Sequence, residues 1–214
     1  MIELELQASP DSPLRLLCVG AHSDDLEIGC AGTIMQWLGS RPCEVDWVVF
    51  SGEGERRSEA HASASALLRR AQQTRIEICA FRDGFFPAAY SQIKDKFEEL
   101  KSRVNPHVVL THWLHDRHQD HRVVAELTWN TFRNHLILEY EVPKYDGDLG
   151  QPNLFVPLEP ELCRAKVRLI LDTFQSQHAK PWFQEHTFLS LMRLRGIECN
   201  APGGYAEAFY CRKA

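Results

Sequence analysis

Short apolar runs alternate along this chain with longer stretches in which apolar residues recur at three- and four-residue intervals. Strand-like apolar runs near 14–20, 45–50, 76–81 and 107–111 predict strands, because buried parallel strands read as near-continuous apolar segments. Between them, 26–39, 56–74, 90–103 and 119–135 carry helical periodicity. In the first of these, Leu26, Ile28, Ile34, Trp37 and Leu38 are the apolar positions. The β-α-β-α alternation predicts an α/β fold, a parallel sheet with helices on both faces. A further strand-like run at 137–142 precedes a Pro- and Gly-bearing stretch, 143–160, that reads as a rim loop. Helical patterns near 160–176 and 181–195 follow, then a short apolar run around Ala208-Phe209-Tyr210.

Length and charge narrow the classes. The 214 residues fit one domain spanning 1–214, with enough chain for a sizeable core. A net charge of −5 argues against a broad nucleic-acid surface, since such surfaces are basic. Seven cysteines without a C-x-x-C pair favour a reducing compartment over a disulfide framework. Met1-Ile2-Glu3-Leu4-Glu5-Leu6 is acidic and makes a poor signal peptide. No run approaches the ~18 apolar residues that span a bilayer. The expectation is a cytoplasmic protein with no membrane span and no nucleic-acid partner. A homo-oligomer is compatible with the sequence.

Chemistry concentrates after two of the predicted strands. Ala21-His22-Ser23-Asp24-Asp25 follows the first. His22 and Asp25, three apart, can point at one ion from a turn or first helical turn. Imidazole and carboxylate are good zinc ligands, at roughly 2.0–2.2 Å. Asp24 between them is placed to take a proton from water that the ion activates. The plainer alternative is that Ser23, Asp24 or Asp25 caps the next helix. No G-x-G-x-x-G follows the strand, and two aspartates would repel a pyrophosphate. Ser23 has no G-x-S-x-G around it.

The second cluster, Asp116-Arg117-His118-Gln119-Asp120-His121, follows the run ending near Thr111. His118 and His121 are placed on roughly one helix face, so that one can ligate a metal while the other points at substrate. Asp120 is placed to hydrogen-bond His118, fix its tautomer and keep it protonated for oxyanion stabilisation. The plainer alternative is a polar helix start. His112 and His115 crowd the same segment and stay open as ligands. Two such clusters point to one shared metal site and a metal-dependent hydrolase.

The loop AHSDDLEIGCAGTI and the later DRHQDHR resemble the LmbE/PIG-L family of zinc-dependent N-deacetylases. Ser51–Glu55, Arg56-x-x-Glu59-Ala60, Asp83-Gly84, Ser176-Gln177 and Tyr205–Phe209 resemble weaker landmarks of the same family. The resemblance implies a Rossmann-like three-layer sandwich with a mostly parallel sheet. It also implies hydrolysis of an N-acyl amide, commonly on an amino sugar. His22, Asp25 and His121 would hold zinc. Asp24 would act as general base and then acid. His118 would polarise the carbonyl, oriented by Asp120. Ser23 stands where the family usually has proline, and Leu26 replaces an acidic residue, with Glu27 one position later.

Arg56 and Asp83 are the candidate substrate-binding residues, since arginine binds hydroxyls or anions and aspartate accepts from hydroxyls. The plainer alternatives are a surface ion pair of Arg56 with Glu55 or Glu59, and a D-G turn at Asp83. Phe85, Phe86, Trp113 and Trp182 read as pocket walls or as core. Glu207 reads as a residue reaching the site or as a polar surface position. The resulting expectation is a zinc hydrolase that removes acetyl from a small N-acetylated amino sugar or its glycoside. Fe2+ or Co2+ is an alternative ion for a His₂Asp set. An amidase acting on a larger conjugate and a non-catalytic metal- or sugar-binding module are the competing readings.

Overall fold

The structure, a computed structural model, describes residues 12–212. The acidic start Met1–Leu6 and Pro10 lie outside the described residues. Seven strands form one sheet in the order β3-β2-β1-β4-β5-β7-β6. They are β1 Leu14–Gly20, β2 Cys43–Val49, β3 Gln73–Ile78, β4 Val108–His112, β5 Leu136–Tyr140, β6 Leu154–Leu158 and β7 Tyr205–Cys211. The helices are α1 Asp25–Ser40, α2 Gly54–Leu67, α3 Tyr90–Arg103, α4 Gln119–Thr131, α5 Pro160–Thr173 and α6 Glu185–Glu198. Strands β1 to β5 pair in parallel, while β7 runs antiparallel to both β5 and β6. This is the mostly parallel, Rossmann-like three-layer sandwich expected from the sequence.

Side-chain alternation builds the layers, because successive strand residues point to opposite faces. On one face Leu14, Leu16 and Cys18 of β1 pack with Leu26 and Ile34 of α1, Ala64 of α2, Val167 of α5 and Met192 of α6. On the other, Leu17 and Val19 of β1 pack with Phe97 of α3 and Val124 of α4. Both faces of β1 and β4 are covered, which is why apolar residues dominate these runs, with Arg15 near the start of β1 and Thr111 and His112 at the end of β4 as the polar exceptions. Four of the five apolar positions expected in α1 are buried, and Trp37 packs partly buried against the same cluster.

Sequence and structure differ at both sheet edges. The helix expected over 56–74 ends at Leu67, followed by a 3-10 turn over Leu68–Arg70. Strand β3 starts at Gln73 because an edge strand can expose Gln73, Thr74 and Arg75. The stretch 143–160 is a loop only to residue 153. Beyond that it forms β6, whose Pro157 is tolerated at an edge.

A buried ion pair ties the C-terminal strand to α1. Glu207 accepts the Gly32 and Thr33 N–H groups at 2.8 and 2.7 Å. Lys166 Nζ donates to Glu207 at 2.6 Å and to the Ile28 carbonyl at 2.7 Å. Glu207 therefore neither reaches the candidate site nor lies on the surface; it anchors the helix that begins at Asp25. Gly29 lets the Tyr140 ring lie against that helix, since a Cβ there would meet the ring at 2.2 Å.

The parallel strand order reverses direction between β1 and β4. Crevices at such switch points, outside the carboxyl ends of the strands, are where open α/β sheets bind ligands. The loops leaving β1 and β4 carry the two His/Asp clusters.

Candidate metal centre

The β1 loop turns sharply into α1. Asp25 Oδ2 accepts the His22 N–H at 2.6 Å, and Asp24, in the N-cap position, makes no capping bond. The capping alternative therefore does not describe Asp24. Ser23 is buried, and its hydroxyl donates to the Ser51 carbonyl at 3.4 Å.

Three donor residues from the two loops converge. His22 Nδ1 lies 3.3 Å from Asp25 Oδ2 and 3.2 Å from His121 Nε2. His121 Nε2 lies 3.5 Å from Asp25 Oδ1. Ligands bound tetrahedrally at about 2.0–2.1 Å stand about 3.3 Å apart, so the spacing suits a zinc-sized cation. The remote nitrogen of each histidine is held by a carboxylate: His22 Nε2 by Asp120 at 3.2 Å, and His121 Nδ1 by Asp116 at 2.9 Å. That second layer fixes ring orientation, as metal-ligating histidines require. The residues present fit the group.

Charge follows the same plan. Burial opposes ionisation of Asp25, but His121, His112 and His22 outweigh it and hold the carboxyl well below its usual range. Burial also opposes charge on His22, and Asp25, Asp120 and Asp83 outweigh that, raising its pKa. Burial raises the pKa of Asp24, aided by Asp25 and opposed by Arg56 and His22. Arg56 donates to Asp24 Oδ1 at 2.8 Å. It does not form the surface pair expected as its alternative; Glu59 instead accepts from the Ser176 N–H and hydroxyl.

His118 differs from expectation. Its Nδ1 accepts the main-chain N–H of Asp120 at 3.3 Å, making it the N-cap of α4. The Asp120 carboxylate does not hold His118; it accepts from Gly84 N, Phe86 N and His22. A carboxylate anchored by two loop amides is committed to the neighbouring loop, out of the capping turn. Burial and then the charges of His121 and His22 lower the His118 pKa. With Nδ1 already accepting, the neutral ring carries its proton on Nε2.

Asp83 forms a turn with Gly84, whose φ is +79°, and still reaches His22 Nε2 at 3.1 Å with its side chain 67% exposed. His112 is buried and stacks on His121 at 3.8 Å between centroids. Its Nε2 accepts the Ala21 N–H at 2.9 Å, and burial lowers its pKa to about 4. His115 is exposed beside Trp113, outside the cluster. Phe86 is core, Phe85 lies under Arg82, and Trp113 stacks on Tyr210. Of these aromatic residues, Trp182 alone lines the cavity over the cluster.

That cavity holds about 220 Å³ and is walled by Asp24, Arg56, Asp83, His118, Tyr145 and Trp182 around the three donor residues. A second, of about 260 Å³, shares His22, Arg56 and Asp83 and extends along Ser51, Glu53, Phe81 and Arg82. A larger groove of about 850 Å³ lies at the opposite end of the sheet, between the C-terminal ends of α3 and α4, far from these groups. Sequence reasoning gave no role to Asp116 or Lys144. The five-residue spacing from Asp116 to His121 was the only local signal for the first, and none existed for the second.

A family profile described as PIG-L, GlcNAc-PI de-N-acetylase, matches residues 17–132, which include both clusters. The conserved protein TT1542 from Thermus thermophilus is similar at 20% identity, with 94% of this chain and 95% of that one covered and a TM-score of 0.71. N,N'-diacetylchitobiose deacetylase from Pyrococcus horikoshii is similar at 20% identity, with 97% and 86% covered and a TM-score of 0.70. GalB, the 4-carboxy-2-hydroxymuconate hydratase from Pseudomonas putida KT2440, is similar at 17% identity, with 94% and 97% covered and a TM-score of 0.69. These likenesses carry the fold, and the hydratase among them shows that one fold hosts more than one reaction. The family follows from the profile match over more than half of the chain and from the motifs it spans: this protein belongs to the PIG-L (LmbE-like) family of N-deacetylases.

Proposed function

We propose that the protein is a zinc-dependent hydrolase that removes acetyl from an N-acetylated amino sugar or its glycoside. The observation that carries the reading is the convergence of His22 Nδ1, Asp25 and His121 Nε2 beside a buried Asp24 carboxylate that caps no helix N–H. His22, Asp25 and His121 would hold the ion, which when bound supplies a Lewis acid that lowers the pKa of water.

The chain's own groups account for the proton traffic. Asp24 takes a proton from the attacking water, whose oxygen bonds to the acetyl carbon. Arg56 holds Oδ1 of Asp24 and opposes the rise that burial gives its pKa, leaving Oδ2 for this work. His118 donates its Nε2–H to the carbonyl oxygen as negative charge develops there. When the C–N bond breaks, Asp24 returns the proton to the leaving nitrogen, giving acetate and a free amine. Asp83, on its exposed turn, accepts a sugar hydroxyl. The second cavity beside Arg56 and Asp83 gives room for a group beyond the sugar ring, which favours a glycoside.

The whole of 1–214 would serve as one catalytic domain. No disulfide joins the cysteines among the described residues, and among the same residues no helix is long and apolar enough to cross a membrane. Cysteines outside disulfides suit the reducing, cytoplasmic setting proposed. Metal analysis of protein purified without chelator, followed by acetate release from N-acetylglucosamine glycosides, tests the proposal. About one zinc per chain with acetate and free amine in equal amounts is the expected result. A zinc-loaded protein that releases no acetate from any glycoside would overturn it.

A further inference from the structure

Lys144 lies in the loop after β5, far in sequence from either cluster, yet its ammonium reaches two carboxylates that support the second one. Nζ donates to Asp116 Oδ2 at 2.8 Å, to Asp148 Oδ1 at 2.9 Å and to the Val142 carbonyl at 3.2 Å. All three protons are used, and the side chain is only 12% exposed. Asp116 Oδ2 is the same oxygen that holds His121 Nδ1, and Asp116 Oδ1 accepts the His118 N–H at 2.7 Å. Asp148 in turn accepts the Arg117 N–H at 2.7 Å. The same loop supplies Tyr145 and Asp146 to the wall of the cavity.

We infer that Lys144 is a positioning residue that couples the loop over 142–148 to the metal-holding His121 through Asp116. The inference rests on the metal site of the proposed function. Without the ammonium, the buried carboxylates of Asp116 and Asp148 lose the cation they share. Asp116 then turns away from His121 and loosens both the ring and the His118 turn. Coupling of this kind is reciprocal: an ion that fixes His121 also steadies the loop that meets substrate.

The sign of one measurement separates positioning from simple charge. Removing a nearby positive charge would by itself strengthen cation binding, whereas loss of positioning weakens it. Zinc affinity of Lys144→Met, measured by competition with a chromophoric chelator, is expected to fall about tenfold or more. Lys144→Arg should recover most of the loss. Unchanged or tighter zinc binding by Lys144→Met overturns the inference. A second measurement needs only the wild-type protein: zinc should slow hydrogen exchange over 142–148, and equal exchange with and without zinc overturns the coupling. Wild-type protein that takes up no zinc would sink the deacetylase reading as well, so the two failures are distinct.

Discussion

Asp120 Oδ2 lies 3.2 Å from His22 Nε2, across 98 positions of sequence. The second cluster therefore does more than contribute His121. It also holds the first cluster's histidine in place, with Gly84 N–H and Phe86 N–H fixing the carboxylate at 2.6 and 3.1 Å. Loops leaving β1, β3 and β4 meet in that one side chain.

Asp120→Asn is accordingly expected to weaken metal binding by about 10- to 100-fold, as loss of a partner to a ligating histidine does. Saturating zinc should restore much of the turnover. A variant with wild-type zinc affinity and a lowered kcat would return Asp120 to the His118-orienting role expected from sequence.

Asp24→Asn should retain zinc and lose about 10²–10⁴-fold in kcat, the range for a lost general base. Zinc content and acetate release on the same preparation check both halves. An active Asp24→Asn would remove the residue from the mechanism.

The acid limb of the pH profile should respond to Arg56. Burial raises the Asp24 pKa and the Arg56 guanidinium opposes it. Removing the opposition in Arg56→Gln raises it further, and the base must be ionised to act. The acid limb of kcat should therefore move to higher pH, by about one unit. An unmoved limb would mean that Asp24 does not set it.

Glu27 is buried next to the site, and burial outweighs the Ser63 hydroxyl to push its pKa up to about 8. The folded protein keeps this proton while the unfolded chain releases it near the ordinary carboxylate value. Stability is therefore lost as pH rises between those two values. Glu27→Gln should match wild type near pH 5 and be more stable by a few kcal/mol above about pH 8. Urea unfolding at both pH values, with chelator present, measures this.

Lys166→Met leaves the Glu207 carboxylate buried and unpaired, with Lys166 Nζ no longer at the Ile28 carbonyl. Breaking such a pair costs about 3–5 kcal/mol. Denaturant midpoints should drop accordingly, and Lys166→Met combined with Glu207→Gln should recover part of the loss.

Much of this molecule is legible from local pattern. Short apolar runs predicted β1, β2, β4 and β5 and the helices between them, because a strand inside the sheet is covered on both faces and carries few polar residues. The family motifs place His22, Asp25 and His121 together, and the switch point between β1 and β4 makes their meeting a consequence of topology. Edge strands were less legible: the run at 76–81 marked only the second half of β3, whose first three residues are polar and exposed, and β6, which contains a proline, read as loop. Long-range polar pairing was not legible at all. Which histidine Asp120 would hold, that Glu207 would be buried against Lys166 instead of reaching the site, and that Lys144 would support Asp116 are decided only when separate elements pack. Apolar periodicity depends on neighbours a few residues away, so the sequence itself determined most of the elements and which loops carry the His and Asp clusters. A hydrogen bond depends on two groups meeting at about 3 Å in a set orientation, so only the tertiary structure decided which carboxylate supports which ring.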